Sequence, residues 1–263
     1  MNKAIYIATG EPESGKSLVT LGLMRIILGR TKRVGYFRPI IENAVKGQKD
    51  NHIETVLTHF NLDMSYEECY ALTVQQVIEM KIDNKEEEIV DLIFKKYKEL
   101  EERFDFILLE GTDFSGEAAF VELDLNAIIA KNLGIPVILV GTGKGKTNDE
   151  LISNLHLAYD SFVEKEVRVL GVIANKVEAP DLAEIEKLLS KKLSDEIFVA
   201  AIPLISTLFN PTVSEINDSI GAKVLLGEDL LNNQVESFAV GAMQLRNLLE
   251  HLKDNRLVIT GDT

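Results

Sequence analysis

Tryptophan is absent, cysteine occurs once, and aromatic residues make up only 6% of the 263 positions. A lone Cys69 has no internal partner, so no disulfide framework holds the fold, as suits the reducing cytoplasm. Positive charge is scarce too: 28 Lys and Arg against 42 Asp and Glu leave a formal net charge of −14. A surface of that sign repels phosphate backbones and anionic lipid, which argues against nucleic acid and membrane as partners. No apolar run approaches the roughly 18 residues of a membrane span. The stretch after Met1-Asn2-Lys3 is too brief for a secretory signal. The four histidines, His52, His59, His156 and His251, are scattered, and no Cys/His cluster has metal-ligand spacing. No Gly-x-Ser-x-Gly elbow occurs, and Cys69 follows Glu67-Glu68, which raises a thiol pKa. Triad and thiol mechanisms are therefore unsupported.

What the chain does contain is alternation. Short apolar runs at Ala4–Ala8, Arg33–Arg38, Phe106–Glu110, Val137–Val140, Arg168–Ala174 and Ile197–Ala201 read as strands buried on both faces. Helical stretches separate them at Lys16–Leu28, Asn51–Phe60, Lys85–Arg103, Glu117–Asn132, Asp149–Glu164 and Pro180–Leu193. The pattern predicts an α/β fold: a three-layer, doubly wound, mostly parallel sheet, with ligands at the carboxyl ends of its strands. Near Phe209 the pattern changes. Asn210-Pro211-Thr212 interrupts it, a short helix opens at Ser214 and ends near Gly221, and Lys223–Leu226 reads as a strand. A helix over Val240–Leu252 and an apolar Leu257–Thr260 follow. The expected division is a domain over residues 1–207 and a small partial α/β unit over 208–263, the chain being read as a fragment. A unit of some fifty residues holds only a marginal core alone.

After the first strand runs Gly10-Glu-Pro-Glu13-Ser14-Gly15-Lys16-Ser17, a complete Gly-x4-Gly-Lys-Ser between an apolar strand and an amphipathic helix. Its glycines allow backbone N–H groups to turn inward around phosphate, and the helix start adds partial positive charge. Lys16 is placed to reach β- and γ-phosphates and Ser17 to ligate Mg²⁺. The sequence therefore predicts a P-loop binding ATP or a related nucleotide with Mg²⁺. Glu11 and Glu13 are unfavourable beside phosphate unless they point outward.

Other strand ends add candidates, each with a plainer alternative. Glu110 ends the Phe106 strand, as a Mg²⁺-approaching carboxylate or an acid without a role. Arg38 ends the second strand, facing phosphate or carboxylate, or simply lying at the surface. Asp50 is a second metal carboxylate or the N-cap of the following helix. Gly141-Thr-Gly-Lys144-Gly-Lys146-Thr147 is a basic loop over the nucleotide or a solvated connection. Asn175-Lys176 offers an amide to a purine edge and an aliphatic stem to its face, or caps a turn, and Pro203 lines the other side.

Together the Gly-x4-Gly-Lys-Ser loop, Gly35-Tyr-Phe-Arg-Pro39, Leu108-Leu-Glu-Gly111 and Gly171-Val-Ile-Ala-Asn-Lys176 resemble the dethiobiotin synthetase-like P-loop family over roughly Met1–Ile205. That resemblance implies ATP on the loop, Mg²⁺ on Asp50 and Glu110, and adenine against Asn175. Two departures stand out: Arg38 where the family usually has lysine, and no Thr-Asp-Thr-type residues in the loop. They put the cyclisation of a diamine in doubt. Asn210-Pro-Thr-Val-Ser-Glu-Ile216, Gly221-Ala-Lys-Val-Leu-Leu-Gly-Glu228, Val240-Gly-Ala-Met243 and Leu257-Val-Ile-Thr-Gly-Asp262 further resemble the first half of a DRTGG-type domain. The tandem order resembles the amino-terminal region of long-form phosphate acetyltransferases. It implies a regulatory or assembly role, with the acyltransferase domain of the full-length protein, nucleotide and further copies of the chain as partners. A stand-alone ATP-dependent ligase working through an acyl phosphate is the alternative.

Overall fold

The computed structural model describes residues 3–42, 49–112, 119–242, 248–249 and 252–261. Two compact units emerge, Met1–Leu204 and Ile205–Thr263. In the first, seven strands lie in the order β3-β2-β4-β1-β5-β6-β7. They are β1 (Ala4–Ala8), β2 (Val34–Ile41), β3 (Tyr70–Thr73), β4 (Phe106–Glu110), β5 (Val137–Thr142), β6 (Val169–Val177) and β7 (Phe198–Pro203). Every pairing is parallel. The doubly wound α/β expectation therefore holds.

Register explains the burial. Along β1, Tyr6 and Ala8 join the larger apolar cluster, while Ile7 between them joins the other. Alternate side chains thus fill opposite faces, and both faces are covered. The helices are α1 (Lys16–Leu28), α2 (Asn51–Phe60), α3 (Val74–Ile82), α4 (Glu86–Arg103), α5 (Ala119–Leu133), α6 (Asn148–Glu164) and α7 (Leu182–Lys192). Val19 and Met24 of α1, with Ile53 and Val56 of α2, pack with Ile7, Tyr36, Leu108 and Ile138 on one face. On the other, α4 presents Ile89, Ile93, Tyr97 and Leu100, spaced as one helical stripe. Each such side chain contributes about 1.5–3 kcal/mol when fully buried.

Helix starts follow local chemistry. Thr73 with Gln76 and Thr147 with Glu150 form capping boxes at α3 and α6, and the Asp50 carboxylate caps α2. The sequence reading missed β3 and α3. Thr73 ends that strand and caps the helix at once, so no loop punctuates the change of period.

The second unit holds α8 (Val213–Ile220) and a parallel pair, β8 (Ser237–Val240) and β9 (Arg256–Ile259). Thr212 and Glu215 box the start of α8, and Gly221, at φ +60°, ends it in the left-handed conformation that glycine adopts without penalty. Lys223–Leu226, expected as a strand, is not one: it pairs with no strand among the described residues, and Leu225 and Leu226 are exposed. Val240, expected to open a helix, instead ends β8, while most of the rest of that stretch lies outside the described residues.

Candidate functional site

Strand order runs outward from β1 in both directions, which places the ligand-binding crevice at the carboxyl ends of β1 and its neighbours. The loop Gly10–Lys16 occupies that place. Gly15 sits at φ +79°, and a Cβ there would stand 2.2 Å from the Asn175 amide nitrogen, so glycine is required twice over. Glu13 also adopts positive φ, at 51°. Asn175 Nδ2 donates to the Ser14 carbonyl at 2.8 Å, and Lys176 Nζ donates to the Glu13 carbonyl at 2.5 Å. The end of β6 thus braces the loop from above. Lys176 is itself at φ +57°, where the β6–β7 register shifts between Ala174 and Val177. The irregularity turns two successive side chains towards the same loop. Burial, with Lys144 nearby, lowers the Lys176 pKa.

Lys16 is only 1% exposed and donates through Nζ to the Gly111 carbonyl at 2.5 Å, tying the loop to the end of β4. Glu11 points away from the loop interior. Its Oε1 accepts from the Thr142 N–H at 2.6 Å, and its Oε2 pairs with Lys146. The acid that looked unfavourable beside phosphate is thereby neutralised, and the β5–α6 connection is drawn against the loop. Gly10 is half-buried beside Leu123, and Pro203 closes β7 opposite Val177, exposed.

Beneath the loop lies a dense polar cluster. Glu110, fully buried, accepts from Tyr36 Oη at 2.8 Å through Oε2. Its Oε1 accepts from Ser17 Oγ at 3.3 Å and lies 2.8 Å from His52 Nδ1. Ser17 Oγ stands 2.7 Å from the same nitrogen. Burial alone pushes the Glu110 carboxyl up, yet the His52 hydrogen bond and the Arg38 and Lys16 charges hold it well below the carboxylate range. Burial, and then the Glu110 charge, push the Tyr36 hydroxyl well above its ordinary value.

Arg38 and Asp50 answer each other. Arg38 Nη1 donates to both Asp50 oxygens at 2.8 Å, and Asp50 Oδ1 also accepts the His52 and Ile53 amides at 2.9 and 3.1 Å. Arg38 is therefore no surface arginine, and Asp50 does cap α2. Tyr36 and His52 were missed in the sequence. The contact of His52 with Glu110 spans 58 positions, and its one local sign was a place beside a helix-starting Asp. Cys69 is buried, and burial together with Glu68 pushes its thiol up to about 12.

The donor set fits a nucleotide and its cation. The Ser14 hydroxyl is buried with no hydrogen-bond partner, which suits a phosphate oxygen. Among the described residues no three His, Cys, Asp or Glu side chains gather to hold a metal alone. A cation here would rest on Ser17 and Glu110 with phosphate oxygens, and would supply charge neutralisation between the phosphates.

A parallel sheet with helices on both faces and an intact Gly-x4-Gly-Lys-Ser loop after β1 marks a P-loop protein. The chain belongs to the AAA domain family, whose model matches residues 3–212, and a DRTGG domain model matches residues 215–263. Phosphate acetyltransferases of Nitratidesulfovibrio vulgaris and Synechocystis are 39% and 38% identical to it, each over 99% of this chain and 38% of the relative. The chain thus spans well under half the length of those relatives. An ATP-dependent dethiobiotin synthetase of Clostridium perfringens is 24% identical, over 83% of this chain and 98% of the relative. No helix among the described residues is long and apolar enough to cross a membrane.

Proposed function

We propose that this chain is the nucleotide-binding regulatory and assembly region of a phosphate acetyltransferase, which interconverts acetyl-CoA and phosphate with acetyl phosphate and CoA. In this reading residues 1–207 bind ATP with a divalent cation, residues 208–263 form part of a DRTGG-type domain, and acyl transfer belongs elsewhere in the full-length enzyme. The observation that carries it is the intact loop with Lys16, Ser17 and Glu110 converging, in a chain matching phosphate acetyltransferases over its whole length. Lys16 exchanges the Gly111 carbonyl for β- and γ-phosphates, and Asn175 offers its remaining amide groups to the adenine edge. Binding acts on assembly or activity by favouring one of two states of the enzyme.

Calorimetric titration of ATP with Mg²⁺ tests this directly. A charge-assisted bond of about 1.5–3 kcal/mol means that Lys16→Ala weakens binding roughly tenfold or more. The chain alone is expected to make no acetyl phosphate. Absence of ATP binding, or binding indifferent to Lys16→Ala, overturns the reading.

The similarity to dethiobiotin synthetase over nearly that whole relative supports a second reading, a stand-alone ligase acting through an acyl phosphate. Against it, the basic group at the β2 end is engaged by Asp50 instead of facing a substrate carboxylate. ADP release that depends on a small carboxylated amine is the result that favours the ligase.

A further inference from the structure

We propose that the cation at this loop is held by a nitrogen–oxygen face made of His52 Nδ1, Glu110 Oε1 and Ser17 Oγ, so that the site favours a first-row transition ion such as Mn²⁺ or Co²⁺ over Mg²⁺. This rests on the nucleotide-binding reading above. The three atoms form a triangle with sides of 2.7, 2.8 and 3.3 Å. An octahedral ion with bonds of about 2.1 Å separates neighbouring donors by about 3 Å, the size of that triangle.

The groups around it are fixed in the matching sense. Tyr36 holds Glu110 Oε2 at 2.8 Å, which leaves Oε1 turned towards Ser17 and His52. Asp50, the other acid near the site, has both oxygens on Arg38 and one of them on the first amides of α2. Those same bonds set the first turn of α2 and bring the His52 ring, in place of a second carboxylate, to Glu110. On its open side the triangle borders a cavity of about 230 Å³, bounded by Leu21, Thr55 and Val56. Water completes the coordination from there. The imidazole binds as the tautomer protonated on Nε2, so that Nδ1 offers its lone pair. Affinity of a mixed nitrogen–oxygen site rises along the first-row series that starts at Mn²⁺ and passes through Co²⁺, whereas Mg²⁺ prefers an all-oxygen shell.

The test titrates the chain with MnCl₂ in the presence of ATP, following free Mn²⁺ by electron paramagnetic resonance. Bound Mn²⁺ is examined for nitrogen spin-echo modulation, with unlabelled and ¹⁵N-imidazole histidine. The expected results are a ring-nitrogen signal that changes with the label, its loss in His52→Ala, and Mn²⁺ affinity reduced roughly 10–100-fold with a smaller change for Mg²⁺. His52→Gln keeps a hydrogen-bonding side chain without the ring, and must behave like His52→Ala while retaining the native circular dichroism. ATP binding with no ring-nitrogen signal and unchanged Mn²⁺ affinity in both variants overturns the cation face and leaves the nucleotide reading standing. Mn²⁺ bound through the ring without ATP binding overturns the nucleotide reading alone. Failure to bind either overturns both.

Discussion

Replacing Asp50 with alanine removes two contributions at once, and the structure gives a size to each. The Arg38 guanidinium is 3% exposed and loses its carboxylate, a change that costs about 3–5 kcal/mol when a buried pair is broken on one side. The N-cap of α2 goes with it, at about 1 kcal/mol. Because the two share one carboxylate they do not simply add, and about 4 kcal/mol is the expected total. In a domain of some 200 residues that lowers Tm by about 8–16 °C. Asp50→Asn, which keeps an oxygen for the cap, falls between Asp50→Ala and wild type. The double change Arg38→Met with Asp50→Leu recovers only part of the loss: it removes the buried pair together, but also the α2 cap and the Arg38 charge that offsets buried Glu110. Thermal unfolding followed by circular dichroism reads the total. Amide exchange at His52 and Ile53, whose N–H groups the carboxylate accepts, reads the cap locally. An Asp50→Ala variant within about 2 °C of wild type, with those amides still protected, refutes the structural assignment. That outcome, paired with weakened cation binding, would return Asp50 to the metal.

Gly15→Ala places a Cβ 2.2 Å from Asn175 Nδ2 at φ +79°, at a backbone cost of about 1–2 kcal/mol, and calorimetry should show ATP binding weakened at least tenfold. Gly35→Ala drives a methyl to 2.8 Å from the buried Phe104 ring and is expected to cost about 1–3 kcal/mol in urea unfolding. Gly171→Ala meets Phe198 more closely still, at 2.2 Å, yet that ring is 46% exposed and free to swing, so the loss is expected to be the smaller of the two. Glu68 accepts from the Ser65 N–H and pairs with Arg103, and its pKa lies below the ordinary 4.5. Its stabilisation is therefore complete above that value and fades as pH falls through the depressed pKa. A Tm series from pH 6 to 3 should be flatter in Glu68→Gln.

How much was legible beforehand depended on how local each signal was. The runs at Ala4–Ala8 and Phe106–Glu110 match β1 and β4 residue for residue, because a strand buried on both faces is a continuous apolar word. Tyr70–Thr73 is four residues long and merges into α3, so neither period had room to declare itself. Lys223–Leu226 shows the reverse error: a β-prone string needs a neighbour to pair with, and none is there among the described residues. In the site, the loop was readable because its glycines and lysine are contiguous. The meeting of Tyr36, His52 and Glu110 was not, since it depends on β2 lying beside β4 and on the angle at which α2 leaves its cap. That Asp50 both caps α2 and pairs with Arg38 had the same origin.

Glu11 and Lys146 stand 135 positions apart yet meet at the rim of the phosphate loop. Their charges are one trait carried at two addresses. A lineage that loses Lys146 alone leaves the Glu11 carboxylate, still held by the Thr142 N–H, without its counter-charge beside incoming phosphate. One that loses Glu11 alone leaves a lysine beside the loop, free to hold the phosphate from the wrong side. In relatives the two should be kept together or given up together, so that the pair, and not either residue, is what drift acts upon.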